Sequence, residues 1–186
     1  TLGYGRDAAG RPLLFNRVQF ISSHGSLPGQ YDKEHLVPFG EYTPFALDFE
    51  FLSNLLQGVN FASGNNAPSL LLPLAGRERD PLADAPVPPP PAEGEEPAVI
   101  VHGAPAEKGQ LALGMLICYE VIFPELAQAR VQGGATILLT VSNDAWFGKT
   151  PAPRQHVHLA AMRAVEQKRP MLRDTNTGYT TLIDAY

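Results

Sequence analysis

The chain has 186 residues, 14 Lys+Arg against 19 Asp+Glu for a formal charge of -5, and one cysteine, Cys118. That length suits one domain, or the larger part of one, with a real core, while a lone thiol excludes a disulfide framework and any cysteine-built zinc or iron–sulfur site. The mildly acidic balance lacks the basic field that nucleic-acid binding needs, and the longest strongly apolar stretch, 111–123, contains Glu120 and falls short of the ~18 residues of a membrane span.

In chain order, Leu13 to Ser22 reads as a short strand of mixed apolar and polar residues. Tyr31-Asp32-Lys33-Glu34-His35-Leu36-Val37-Pro38-Phe39-Gly40-Glu41-Tyr42 follows, a polar concentration whose proline and glycine impose a fixed turn between Lys33 and Glu41. From Ala75 to Gln110 the composition changes: nine of the 18 prolines lie between Pro73 and Pro105, four of them consecutive at 88–91. That segment cannot enter a helix interior or a central strand and reads as a long acidic surface insertion, at most holding a short strand at Ala98 to His102. It reads as a solvated loop with no role or, from its position between Lys33 and Cys118, as a lid at the rim of a site.

Leu111 to Cys118 is a compact apolar run suited to a strand buried on both faces. Pro124 to Gln132 reads as a helix with proline in its first turn and Gly133-Gly134 as its stop. Thr136 to Ser142 is β-branched and strand-like, Gln155 to Lys168 has helical composition and ends before Pro170, and Met171 to Thr175 and Thr180 to Ala185 are two further strands. Strands alternating with helices around buried apolar runs predict an α/β domain. With no initiator Met, no signal-peptide pattern at Thr1 and a strand-like run up to Tyr186, both ends read as cuts in a longer chain.

Three places have the residue types for chemistry. Cys118 lies where a buried strand gives way to Tyr119-Glu120 and a helix, a junction that holds a nucleophile rigidly and exposes it at a sheet edge. A cysteine after an apolar run equally suits plain burial. Lys33 would favour a nearby thiolate and stabilise negative oxygen on an attacked carbonyl, with Glu41 orienting the ammonium; alternatively the two form an ordinary solvated pair. Ser142-Asn143-Asp144-Ala145-Trp146-Phe147-Gly148 holds the only tryptophan, which either walls a site for an acyl chain or caps the core. His156 and His158, two apart on a helix, do not point together, so no metal site is expected, and Arg154, Arg163, Lys168 and Arg169 read as a solvated or salt-bridged face. Neither a P-loop nor a spaced dinucleotide fingerprint is present, so no cofactor is expected.

Three segments together resemble one family. The 31–42 segment resembles the lysine motif of the nitrilase, or carbon–nitrogen hydrolase, superfamily, and its Leu-Val-Pro-Phe-Gly-Glu-Tyr form looks like the apolipoprotein N-acyltransferase branch. Leu116-Ile117-Cys118-Tyr119-Glu120 is similar to that branch's nucleophile motif, and 141–184 resembles its tail, including Gln155-His156, Arg163-Ala164, Arg169-Pro170 and Thr175-Asn176-Thr177-Gly178. The resemblance implies a nitrilase-like four-layer αββα sandwich over residues 1–186, incomplete at the N-terminus and also at the C-terminus. It implies a Glu-Lys-Cys catalytic set with Cys118 as nucleophile, Lys33 as the oxyanion-stabilising cation and Glu41 as the second, positioning glutamate. Tyr119, Glu120 and Trp146 are expected to bind substrate or shape the site.

The implied activity is transfer of a fatty acyl group from a phospholipid to the N-terminal amine of the lipid-modified cysteine of a bacterial lipoprotein, through a Cys thioester. The implied setting is the bacterial inner membrane, on its periplasmic side, with membrane helices outside this chain. A soluble amidase of the same superfamily and an inactive domain that binds lipid or a partner are the competing readings. The family's general-base glutamate lies upstream of the lysine motif, whereas no glutamate precedes Lys33 and Asp7 is the only carboxylate before Asp32. This stretch of chain is therefore expected to lack its base and to be catalytically silent alone.

Overall fold

A computed structural model describes residues 2–22, 25, 27–42, 60–67, 69–73 and 110–186. The proline-rich insertion expected at 75–110, with its short strand at 98–102 and its role as a lid, lies outside the described residues but for Gln110.

Strands β1 (Leu2–Arg6), β2 (Pro12–Phe20) and β3 (Gly29–Asp32) form an antiparallel sheet in that order. The β1–β2 turn is closed by Asp7, whose carboxylate accepts from the main-chain N–H groups of Ala9 and Arg11, with Gly10 at φ 78°. Asp7 is thus occupied in a turn. Across β2 and β3, Arg17 stands opposite Asp32 and donates to both of its oxygens at 2.6 and 2.8 Å, a buried bidentate pair that fixes the register beside Lys33.

The second sheet has the order β4 (Leu70–Pro73), β5 (Gln110–Ile117), β6 (Ile137–Ser142), β7 (Met171–Thr175) and β8 (Thr181–Ile183). Its central pairs β5–β6 and β6–β7 are parallel and its two outer pairs antiparallel. Parallel neighbours need crossovers. Helix α1 (Pro124–Gln132) supplies the first and α2 (Ala152–Gln167) the second, with a 3-10 turn before each, at Cys118–Ile122 and Asp144–Phe147. Pro124 occupies the first turn of α1 and Gly133 its C-cap, as the sequence predicts; α2 begins three residues earlier than expected and ends with Lys168 in a left-handed conformation.

Two apolar clusters define the layers. Leu116, Leu138 and Met171 of the large sheet pack on Val121 and on Ala127, Ala160 and Ala164 of the helices. On the opposite face, Met115 and Ile117 meet Tyr31, with Val18, Phe20, Leu139, Val141 and Cys118 around them. Burial of each such side chain contributes about 1.5–3 kcal/mol. The described residues thus form helix, sheet and sheet layers of an α/β fold, three of the four layers that the resemblance implies, and the lysine segment and the cysteine turn meet at the sheet–sheet interface.

Candidate active site

β5 ends at Ile117, one residue before the expected boundary, and Cys118 opens the 3-10 turn with φ 51°. A side chain forced into the left-handed region costs on the order of 1–2 kcal/mol, so surrounding structure must hold it there. The thiol residue is half-buried against the sheet–sheet cluster and forms no disulfide.

Lys33 follows β3 directly, its N–H extending the β2–β3 ladder to Asn16 O at 2.9 Å. Only 1% of its surface is exposed, and its Nζ donates to Glu41 Oε2 at 2.7 Å. The same carboxylate accepts from Val37 N and from Asn16 Nδ2. The tight turn at 37–41, with Phe39 at φ 61°, brings Glu41 back onto the lysine it follows by eight residues. Lys33 is buried and ion-paired and Glu41 is half-buried, which corrects the solvated alternative.

Glu120 joins the two segments. It is completely buried, and its carboxylate accepts from Ile117 N, from the consecutive N–H groups of Glu34 and His35, and from Tyr31 Oη. Burial pushes its carboxyl above the ordinary value against the opposing pull of those donors. Arg130 of α1 donates to Tyr31 Oη at 2.7 Å and Glu34 Oε2 at 2.6 Å, and burial together with the Glu120 charge lifts the Tyr31 phenol well above 10.0. A ring cluster closes the same seam: His35 lies 4.0 Å from Phe123, and Tyr119 meets Phe123 edge-on at 5.1 Å. Tyr119 and Glu120 therefore both bind the cysteine turn to the lysine segment.

Trp146 is 80% exposed and belongs to neither apolar cluster, so it does not cap the core. Its turn is held from beneath by Asp144, whose Oδ1 accepts from Ser142 Oγ and whose Oδ2 accepts from Arg173 Nη2. His156 completes this buried group, with Nε2 3.1 Å from the main-chain oxygen of Cys118, Nδ1 3.1 Å from Arg173 Nη2 and its ring edge-on to Phe147. His158, by contrast, faces solvent. Arg163 is buried as well, donating to Ile122 O and pairing with Glu166 at 2.7 Å, so of the solvated and salt-bridged readings of its face it takes the salt-bridged one.

The joining of Asp144, Arg173 and His156 into one group escaped the sequence reading, which met His156 as a metal-ligand candidate and as part of the Gln155-His156 match without giving it a partner. A signal was available: His156, Ala160, Arg163 and Ala164 form the buried stripe of α2, and two polar residues on a stripe of small apolar ones require partners. Arg130 beside Ala127 on α1 carries the same signal.

Against this geometry, the carbon–nitrogen hydrolase model matches residues 1–186. The chain belongs to the carbon–nitrogen hydrolase family. It is 34% identical over 176 residues to the apolipoprotein N-acyltransferase of Geobacter metallireducens, covering 94% of this chain and 27% of that relative. It is 38% identical over 182 residues to the enzyme of the same name from Pseudomonas aeruginosa, covering 97% and 28%. This carbon–nitrogen hydrolase chain thus spans little more than a quarter of the length of the curated relatives it matches. Among solved structures it is similar to Saccharomyces cerevisiae Nit3, a member of branch 10 of the nitrilase superfamily (TM-score 0.52, 15% identity, 99% of this chain and 50% of that one). It is equally similar to an amidase from Nesterenkonia sp. AN1 with the acetamide moiety of fluoroacetamide covalently added at its active-site cysteine (TM-score 0.53, 17% identity, 99% and 52%). At such identities these two structures establish the fold.

Proposed function

We propose that the protein carrying this chain transfers a fatty acyl group from a phospholipid to the α-amine of the lipid-modified N-terminal cysteine of bacterial lipoproteins. The reaction is placed at the periplasmic side of the inner membrane, with the membrane anchor outside this chain; among the described residues no helix is long and apolar enough to cross a membrane. The observation that carries the reading is the left-handed Cys118 at the end of a buried strand, on a turn that Glu120 fastens to the segment of the buried, Glu41-paired Lys33. The names and identities of the relatives supply the acyl-transfer chemistry.

In this mechanism the thiol proton of Cys118 passes to a general base outside the described residues, and the thiolate attacks the ester carbonyl of the phospholipid. The Lys33 ammonium stabilises the oxyanion that forms. Collapse of the tetrahedral intermediate breaks the ester C–O bond, the lysophospholipid oxygen takes the proton, and a Cys118 thioester remains. The acceptor amine attacks the thioester, gives up a proton to the same base, and releases Cys118 as the acylated amide forms; two easier steps replace one hard one. Glu41 holds the ammonium in place, and Tyr119, Glu120 and Trp146 shape the cleft.

Incubation of the natural full-length protein with phospholipid is expected to add one acyl mass to the peptide containing Cys118, labile to hydroxylamine and absent in Cys118→Ala. Hydrolysis of small amides with no acyl mass from phospholipid would favour the amidase, and no adduct of either kind would leave a binding domain.

A further inference from the structure

Cys118 keeps a strained backbone at the point where its position matters most, and the described contacts show what holds it. Among the described residues, the side chain that meets the Cys118 carbonyl comes from 38 residues away: His156, with Nε2 at 3.1 Å. Three groups face this imidazole besides that carbonyl: the Asp144 carboxylate, the Arg173 guanidinium and the Phe147 ring. Burial first, and the Arg173 charge second, hold its pKa below the ordinary 6.5 against the opposing pull of Asp144, and so favour the neutral ring at neutral pH.

A neutral imidazole has one donor and one acceptor nitrogen. The carbonyl accepts only, so Nε2 carries the hydrogen. Nδ1 then accepts from Arg173 Nη2, whose other hydrogen goes to Asp144 Oδ2 at 2.8 Å. In this tautomer the 3.2 Å approach of Nδ1 to Asp144 Oδ1 is not a hydrogen bond, and Arg173 holds the two acceptors together while Ser142 satisfies Oδ1. Arg173 and Asp144 have almost no exposed surface, and His156 has 4%. The clamp is therefore anchored in β7, in the turn after β6 and in α2 at once.

We propose that His156 is a positioning residue for the nucleophile turn, its Nε2–H fixing the Cys118 carbonyl and with it the plane of the 118–119 peptide. This rests on the reading of Cys118 as the nucleophile. The carbonyl of a planar trans peptide and the N–H of the next residue point in opposite directions. Fixing the carbonyl toward α2 therefore aims the Tyr119 N–H away from α2 and stops the peptide from relaxing out of the left-handed conformation at Cys118. The N–H of the residue after a nucleophile, aimed in this way, can meet the developing oxyanion alongside Lys33.

The test uses the natural full-length protein and measures formation of the Cys118 acyl-thioester in a single turnover, normalised to folded molecules by circular dichroism. His156→Leu is expected to slow acylation on the order of 10²-fold, the scale of a misplaced reacting group, with the phospholipid concentration for half-maximal rate nearly unchanged. His156→Gln, with a donor and an acceptor at similar reach, is expected to recover most of that rate. His156→Asn, whose amide stops short of the carbonyl, is expected not to, and the Gln–Asn comparison decides the matter if the leucine variant fails to fold. Wild-type acylation in His156→Leu, or equal defects in the Gln and Asn variants, overturns the clamp while leaving Cys118 as nucleophile. Retained turnover in Cys118→Ala overturns the nucleophile and the clamp with it.

Discussion

At the scale of the residue the proposed chemistry rests on a single backbone angle at Cys118 and on a buried imidazole behind it, and that imidazole also sets a pH dependence. As pH falls through 6.5 the unfolded chain protonates His156, while the folded chain keeps it neutral to lower pH because of burial and Arg173. In that window the unfolded state binds more protons, so the stability contributed by the neutral ring is complete above 6.5 and is lost as pH falls toward the folded value. Asp144 acts in a separate range: against its burial, Ser142 and Arg173 hold it below 3.8, so its contribution is lost only under stronger acid. The thermal midpoint of the natural protein is expected to fall between about pH 7.5 and about pH 5, and His156→Gln to flatten that slope. An identical slope in the variant would show that the ring is not held neutral. The segments holding Cys118, Lys33 and Glu41 stand out in the sequence because each is a polar motif of unusual composition, and the structure pairs Lys33 with Glu41. The left-handed angle, the burial of Lys33 and the use of His156 were not legible there, since each depends on residues distant in the chain.

Among the elements, legibility followed apolar runs and the proline or glycine that bound them rather than length, since even three-residue β8 falls within its expected range. Strands β5, β6 and β7 and helix α1 were foreseen nearly to the residue, β5 and β6 by their apolar runs, α1 by Pro124 and Gly133 at its ends and β7 by the proline before it. Strands β1, β3 and β4 were missed: β1 has two glycines and β3 one, and their pairing with β2 and β5 defines them. Gly114, inside the foreseen β5, shows what periodicity does not convey. A Cβ there would come 2.7 Å from Arg130 Cβ and 2.8 Å from Leu138 Cδ2, so the glycine sets how closely α1 lies on the sheet. Arg130 needs that approach, since its Nε reaches Met115 O at 3.1 Å and its Nη2 the Tyr31–Glu34 pair. Gly114→Val is therefore expected to cost about 1–3 kcal/mol through overpacking and to weaken the Arg130 contacts as well. Chemical denaturation, with hydrogen exchange along α1, checks this; unchanged protection of α1 would mean that the helix tolerates the added methyl groups.

In the molecule as a whole, the site exists only where two sheets meet, and Glu120 is the joint. One carboxylate accepts from Ile117 N on the cysteine side and from Glu34 N, His35 N and Tyr31 Oη on the lysine side. Ordinary core packing between the sheets would hold them together without fixing the register of one catalytic segment against the other. A completely buried carboxylate shared by both segments does fix it, because displacement of either side leaves buried donors unbonded. Glu120→Ala orphans three main-chain N–H groups and a hydroxyl and is expected to cost several kcal/mol, with failure to fold as one form of that loss. Glu120→Gln preserves volume but sets an NH2 group against donors, so it tests the bonding apart from the packing. If the carboxylate is the joint, hydrogen exchange in Glu120→Gln rises together in peptides covering residues 33–37 and 117–122, and thioester formation at Cys118 falls more than stability does. Faster exchange on one side alone, or acylation that declines only in step with stability, would mean that the two halves of the site are held in register by the Tyr31, Met115 and Ile117 cluster instead.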